Sequence, residues 1–453
     1  MSEKINPQTR LIVSIILFIA TFISLTSQTM MTTAIPVIQT TMHQPLALVQ
    51  WLTTGYTLII GIITPLTSNL YEKYSNRSLF LSTIGIFIIG TAIGSLAPNF
   101  WLLLLGRLIQ ACAGGILMSF QMTAMITIYP AEKRGTIIGL SSLILAFGPA
   151  IGPTLAGFIL ATLGWRYLFI LVLPFMIVVW LIGYRTFPNF TTPKAIKIET
   201  ISVILSLLGT GLALSSLSFI QTQPLEGSAM MIVGLILIYL FAKRQLQLKQ
   251  PMLKITILKS RAFRMMTIIG ILAFMILLGT EQMVSIYVQD AMHMSSMTAG
   301  LVLLPGAASN AITAAFVGRA YDNYGPKWLI TSGAILMLIA TIPLVTMTAH
   351  TALWVVTLAY ALRMIGNALV FSPAMSEAFI ELKPDEIDHA TALFNAIRQM
   401  FAAVSITMLV LISSVPASLV RGMHWAMWLT AIFIISLLIV FLLYITKGRS
   451  AKV

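Results

Sequence analysis

Long apolar runs broken by short polar segments cover almost the whole 453-residue chain. A run of about 20 apolar residues is long enough to cross a bilayer as a helix. The pattern predicts fourteen such spans, near 11–34, 46–70, 79–97, 101–125, 136–160, 166–187, 201–221, 229–246, 263–288, 299–320, 328–347, 352–376, 391–413 and 424–446. Lys4 and Arg10 precede the first run, and no small-residue cleavage site follows a short apolar core. A retained first helix is therefore expected rather than a cleaved signal peptide.

The fifth run holds the most unusual pattern, Ala146-Phe-Gly-Pro-Ala-Ile-Gly-Pro-Thr-Leu-Ala-Gly157. Gly148, Gly152 and Ala156 recur every four residues and share one helical face. Lipid supplies no hydrophobic drive between helices, and small faces let two backbones approach closely. Pro149 and Pro153 remove donors and bend the helix, which neighbours in a bundle can compensate.

Composition fits the spans. Hydrophobic residues make up 58% and charged residues 9%, against roughly 25% charged in soluble domains. The chain reads as an all-α polytopic membrane protein. Its net charge of +14 would suggest nucleic acid in a soluble protein, but placement gives another meaning. With the N-terminus cytoplasmic, 22 of the 27 Lys and Arg fall on the inner side, two (Arg166, Arg421) outside and three within spans. That asymmetry satisfies the positive-inside rule with both termini cytoplasmic. The basic linker Lys243–Arg264 is then a juxtamembrane anchor to anionic lipid. The single cysteine, Cys112, gives no disulfide framework, and histidines 43, 293, 350, 389 and 424 lack metal-ligand spacing. No phosphate-cradling Gly-x-x-x-x-Gly-Lys-Ser/Thr pattern is present, which excludes an ATPase domain in this chain.

An internal repeat is visible. Tyr71-Glu72-Lys73 through Arg77 aligns with Tyr321-Asp322-Asn323 through Lys327 at an offset of 250. Arg107-Leu-Ile-Gln110 aligns with Arg363-Met-Ile-Gly366 at 256, and Pro130 with Pro384 at 254. Near-equal offsets imply two homologous six-helix halves, expected at 1–190 and 263–453. Two inserted helices and the basic linker occupy 191–262.

These features together resemble the 14-span drug:proton antiporter family of the major facilitator superfamily. Further matches are Trp51-Leu-Thr-Thr-Gly-Tyr56, Ala97-Pro-Asn-Phe100, Trp165-Arg166-Tyr-Leu-Phe169, Tyr287-Val-Gln289 and Asn395-Ala-Ile-Arg398-Gln399. The resemblance implies a major facilitator fold in a bacterial cell membrane. It implies that Gly148, Pro149, Gly152, Pro153 and Gly157 form the antiporter helix. Span thirteen has no such Gly-Pro pairs, so a role in sealing the interface between halves is expected. It also implies inner-loop latches at Glu72, Lys73 and Arg77, and at Gly318, Asp322, Gly325 and Lys327. The first copy departs from the family pattern, with Ser68 and Ser75 in place of glycines.

The family's span-four arginine, here Arg107, is linked to proton transfer through an acid elsewhere. Many relatives carry that acid in the first helix, where this chain has Ser27. Glu281 is the one acid well inside a predicted span, about 7–8 Å past the centre of span nine at 1.5 Å per residue. A group that changes protonation with exposure to either side is what proton coupling needs, so Glu281 and Arg107 are the coupling candidates. Glu377 is a weaker one, at the inner end of span twelve. Spans one, four, nine and twelve line the cavity in this fold, giving Gln28, Met30, Met31, Met118, Gln121, Met122, Gln282 and Asn367 as substrate candidates. Trp51 and Tyr56 are candidates to stack a flat substrate.

The buried charge is lopsided, with Arg107, Arg363 and Arg398 set against Glu281, which argues for an uncharged, amphiphilic or singly charged substrate. The expected function is proton-coupled export of hydrophobic or amphiphilic drugs by alternating access. The alternative is an exporter or flippase of an anionic amphiphile such as a fatty acid or lipid. Expected partners are small hydrophobic or amphiphilic substrates, protons and membrane lipids, with the chain a monomer. No nucleic acid, metal or cofactor is expected, the proton gradient serving as energy source. Short loops without a nucleophile or metal set argue against an enzyme.

Overall fold

The computed structural model describes residues 6–129, 141, 144, 148, 151–193, 199–219, 223–248, 251, 253–382 and 387–448. Pro149, the loop segments 130–135 and 384–386, and the side chains of Asp322 and His389 lie outside the described residues. The helices in order are α1 (Pro7–Met42), α2 (Leu46–Val49), α3 (Trp51–Ile63), α4 (Leu66–Lys73), α5 (Asn76–Leu96), α6 (Phe100–Ile128), α7 (Ile151–Thr162), α8 (Tyr167–Ile170) and α9 (Val172–Thr186). They continue with α10 (Thr200–Phe219), α11 (Pro224–Gln247), α12 (Arg261–Ile286), α13 (Ser296–Thr346), α14 (Leu353–Ala378), α15 (Ile387–Ser414) and α16 (Leu419–Gly448). Among the described residues, thirteen helical stretches are long and apolar enough to cross a membrane, and α7 is a shorter apolar helix at the fifth expected span.

Local chemistry sets several boundaries. Polar side chains cover first-turn N–H groups that no helical carbonyl can reach. Asn6 accepts from Gln8 N (3.1 Å), Asn99 from Leu102 N (3.0 Å) and Ser260 from Phe263 N (3.2 Å). A π turn, Tyr287–Ala291, continues α12 and carries Asp290.

The chain divides into two compact units. One comprises Met1–Gly211 and Gly234–Met252, the other Leu212–Val233 and Leu253–Val453. In the first, Phe187 stacks on Phe80 (4.3 Å between centroids) and lies 6.1 Å from Phe120. Val13, Leu17, Phe87 and Met176 pack in the same core. In the second, rings of Phe274, Phe371, Phe394, Phe379 and Phe263 follow one another at 6.1–6.4 Å. Each unit also has a backbone crossing between equivalent helices. A Cβ at Gly90 would lie 2.7 Å from Gly106 O, and one at Gly333 2.7 Å from Gly366 O.

Helix α13 holds two expected spans joined at a bend. Gly325 there has φ 70° and ψ 176°, a backbone region open essentially to glycine alone. A Cβ at Gly325 would meet nothing within 4 Å, so substitution costs backbone strain and no clash. Gly325→Ala should therefore lower stability by about 1–3 kcal/mol, read as an earlier thermal midpoint of the purified protein in detergent. An unchanged midpoint would show that this bend does not need glycine.

Candidate functional site

The most connected buried charge in the first unit is Arg107. It is fully buried on α6, where an unsolvated guanidinium is costly unless protein groups surround it. Nη1 donates to Gln110 Oε1 (2.6 Å) and to the carbonyl (3.3 Å) and hydroxyl (3.4 Å) of Ser27, while Nε reaches Leu52 O at 3.4 Å. The guanidinium lies 3.9 Å from the ring centroid of Tyr56, a favourable cation–π distance. Gln110 passes the network on to Thr91 Oγ1 (2.9 Å) on α5. Four membrane helices thus meet on one charge, and the aspartate position of relatives is filled by a Ser27 hydroxyl.

Tyr56 corrects one expectation. Its side chain is fully buried under Arg107, and its hydroxyl donates to Ser24 O (3.5 Å). It braces the arginine and is closed to a stacking substrate here.

The Gly-Pro stretch has a defined neighbour within its own unit. The glycine face meets α1 of its own unit. A Cβ at Gly148 would lie 2.9 Å from Leu25 Cβ, and one at Gly152 would lie 2.1 Å from Thr29 Oγ1 and 2.8 Å from Thr26 O. Thr26 Oγ1 donates to Gly148 O (3.1 Å) and Thr33 Oγ1 to Pro153 O (3.3 Å). Gly148 and Gly152 therefore lie close against α1. The matching signal in the sequence was the stripe Thr26, Thr29, Thr33, at i, i+3 and i+7 on α1.

In the second unit Glu281 is 5% exposed on α12, beside fully buried Gln282 and Ser285. Arg363 donates to Thr341 Oγ1 (2.8 Å). Arg398 lies 4.1 Å from the Phe274 centroid and 5.2 Å from that of Phe371. Among the described residues, Glu281 is the one carboxylate in the buried class. Glu377 is instead clamped between two hydroxyls, Tyr321 OH on Oε2 (2.6 Å) and Tyr444 OH on Oε1 (2.7 Å). It ties α13, α14 and α16 together.

The remaining candidates separate. Met30 and Met31 sit in a packed cluster with Ile35, Leu52 and Trp165, and half-buried Met118 packs against Tyr56, Ile60 and Ala111. Gln121 donates to Ser141 Oγ (2.8 Å) and Asn367 to Ala273 O (2.7 Å). Gln28 is buried and Met122 half-buried. In the first loop signature Glu72 is exposed on α4 and Lys73 lies over Tyr74 (5.5 Å). Arg77 donates to Tyr184 O and lies over that ring at 5.5 Å. Asn76, which the sequence reading passed over, accepts from Phe190 N (3.1 Å), Thr191 N (2.9 Å) and Thr191 Oγ1 (2.8 Å). In the second signature Lys327 lies 5.8 Å from the Trp328 ring centroid, and Gly318 is exposed.

Two helical units with buried charges held by side chains define a polytopic membrane transporter. The chain belongs to the Major Facilitator Superfamily, whose family model matches residues 17–406. It is 35% identical over 413 residues to "Uncharacterized MFS-type transporter YcnB" of Bacillus subtilis (strain 168), covering 90% of this chain and 87% of that protein. It is 32% identical over 398 residues to "Lincomycin resistance protein LmrB" of Listeria innocua, covering 87% and 84%. Among solved structures, a POT family transporter in complex with a thioalcohol conjugated peptide superposes with a TM-score of 0.72 at 16% identity, covering 96% of each chain. The protein is thus a multi-pass transporter of the bacterial cell membrane and not an enzyme.

The α1–α7 contact gives a direct test. Overpacking a close helix contact typically costs about 1–3 kcal/mol. Gly152→Ala should lower the thermal midpoint, and Gly152→Leu should insert yet lose export. Adding Thr29→Ala to Gly152→Ala should recover part of the midpoint, since it removes the atom 2.1 Å away. Wild-type export in Gly152→Leu would return this contact to ordinary packing.

Proposed function

We propose that this transporter exports hydrophobic or amphiphilic drugs from the cytoplasm in exchange for protons, by alternating access between two six-helix halves at 1–190 and 263–453. The inserted helices and basic linker, 191–262, lie between those halves in sequence. The lincomycin resistance relative supports drug export as the direction of transport. The observation that supports proton coupling is the burial of Glu281 within α12, where a charged carboxylate is costly. It is the buried carboxylate among the described residues, in a unit whose other buried charges are Arg363 and Arg398.

In this reading both termini face the cytoplasm, and a proton arriving from outside neutralises Glu281. Loss of that charge weakens the hold on substrate and favours return to the inward-facing state. Arg107 takes a different part from the one the family pattern implies. Its described partners are Ser27, Gln110, Leu52 and Tyr56. With no carboxylate among these, it serves as a fixed post for the first unit, while Glu281 carries the titration.

The test is efflux of a lipophilic cationic dye from energised inverted vesicles, wild type against Glu281→Gln. The variant should bind dye and lose most of the response to a proton gradient. Undiminished gradient-driven efflux in Glu281→Gln would remove Glu281 as the carrier.

A further inference from the structure

A polar cavity of about 260 Å³ lies in the first unit, away from the buried charges. It is lined by Thr41 in the last turn of α1 and Gln44 just beyond it, Asn99 and Phe100 at the start of α6, and Trp165 and Arg166 ahead of α8. We propose that this cavity binds a phosphate-bearing anion, of the kind carried by the headgroup of an anionic phospholipid.

The lining is rich in donors and holds no acid. The chain itself has no Asp or Glu from Lys4 to Tyr71 or from Lys133 to Ile198, so Arg166 has no carboxylate nearby in sequence. Arg166 lies over the Trp165 ring (4.3 Å) and donates one Nη2 hydrogen to Ala97 O (3.1 Å). A guanidinium carries five N–H groups in a fork that suits phosphate oxygens, so most of its capacity remains for a ligand. Trp165 is 4% exposed, and its indole N–H finds no acceptor among the described residues. An unmet buried donor is costly, and an oxygen in the cavity would relieve it.

One helix end agrees in sign. The start of α6, a 29-residue helix, brings the positive end of its dipole to the lining, which favours an anion, beside the Asn99 cap on Leu102 N. At the facing end of α1 the carbonyl of Gln39 is taken up by the N–H groups of His43 and Gln44.

The surroundings favour lipid as the source. Trp101 and Tyr167, next to lining residues in sequence, are 65% and 39% exposed. Exposed aromatics at the ends of spanning helices lie at headgroup depth, where a lipid phosphate is within reach of a guanidinium fork.

The experiment uses the full chain, purified in detergent, titrated with phosphatidylglycerol, phosphatidylcholine or inorganic phosphate and read by binding and thermal shift. Phosphatidylglycerol should bind and stabilise the wild type, and phosphatidylcholine should not. Arg166→Gln should weaken phosphatidylglycerol binding about tenfold, the scale of one charged hydrogen-bond partner. Trp165→Phe keeps a ring and removes the N–H, and should weaken binding several-fold. Lipid-free midpoints of both variants report whether the fold is intact. Inorganic phosphate acting as strongly as phosphatidylglycerol would support the anion site and make free phosphate its ligand. Equal phosphatidylglycerol binding in wild type and both variants, or equal affinity for phosphatidylcholine, would overturn the proposal.

Discussion

A guanidinium placed in the middle of a membrane bundle must be solvated by the protein, and the first unit is arranged around that requirement at Arg107. Ser27, Leu52 and Gln110 accept from it and the Tyr56 ring lies against it, while Nη2 has no partner among the described residues. Ser27 belongs to α1 and Leu52 and Tyr56 to α3, so these contacts set both helices relative to α6. The reach to Thr91 through Gln110 adds α5. Breaking one partner would leave charge in an apolar surround, which is why such a node holds helices in register more firmly than its few bonds suggest.

The second unit repeats the device with a shorter path. Arg363 aligns with Arg107, but Gly366 stands where Gln110 does. Its guanidinium accordingly contacts Thr341 directly, the residue offset by 250 from Thr91. The two halves have kept an arginine-to-threonine tie between equivalent helices and changed its intermediary. Among the described residues the second unit also buries a carboxylate, Glu281, on α12.

The Gly-Pro stretch acquires a different meaning from its packing. Alone it is a kinked helix with one smooth face. Packed, that face receives a threonine stripe of α1, and two hydroxyls bond backbone carbonyls across the seam. Such close approach joins α7 to the helix that also carries Ser27.

Hydropathy alone determined the all-helical membrane class and the placement of the spans, because a bilayer permits few ways to bury backbone polar groups and each span needs its own apolar run. Arg107, Glu281 and the small-residue face were also legible, since charge and glycine are conspicuous against an apolar background. Tertiary structure alone decided what each one touches. Tyr56 became a brace, Glu377 the acceptor of two tyrosines, and Asn76 a three-way acceptor for the segment after α9. It also turned the glycine seam toward α1. Periodicity says which face of a helix is small or polar, but the partner of that face comes from elsewhere in the chain, and only packing brings the two together.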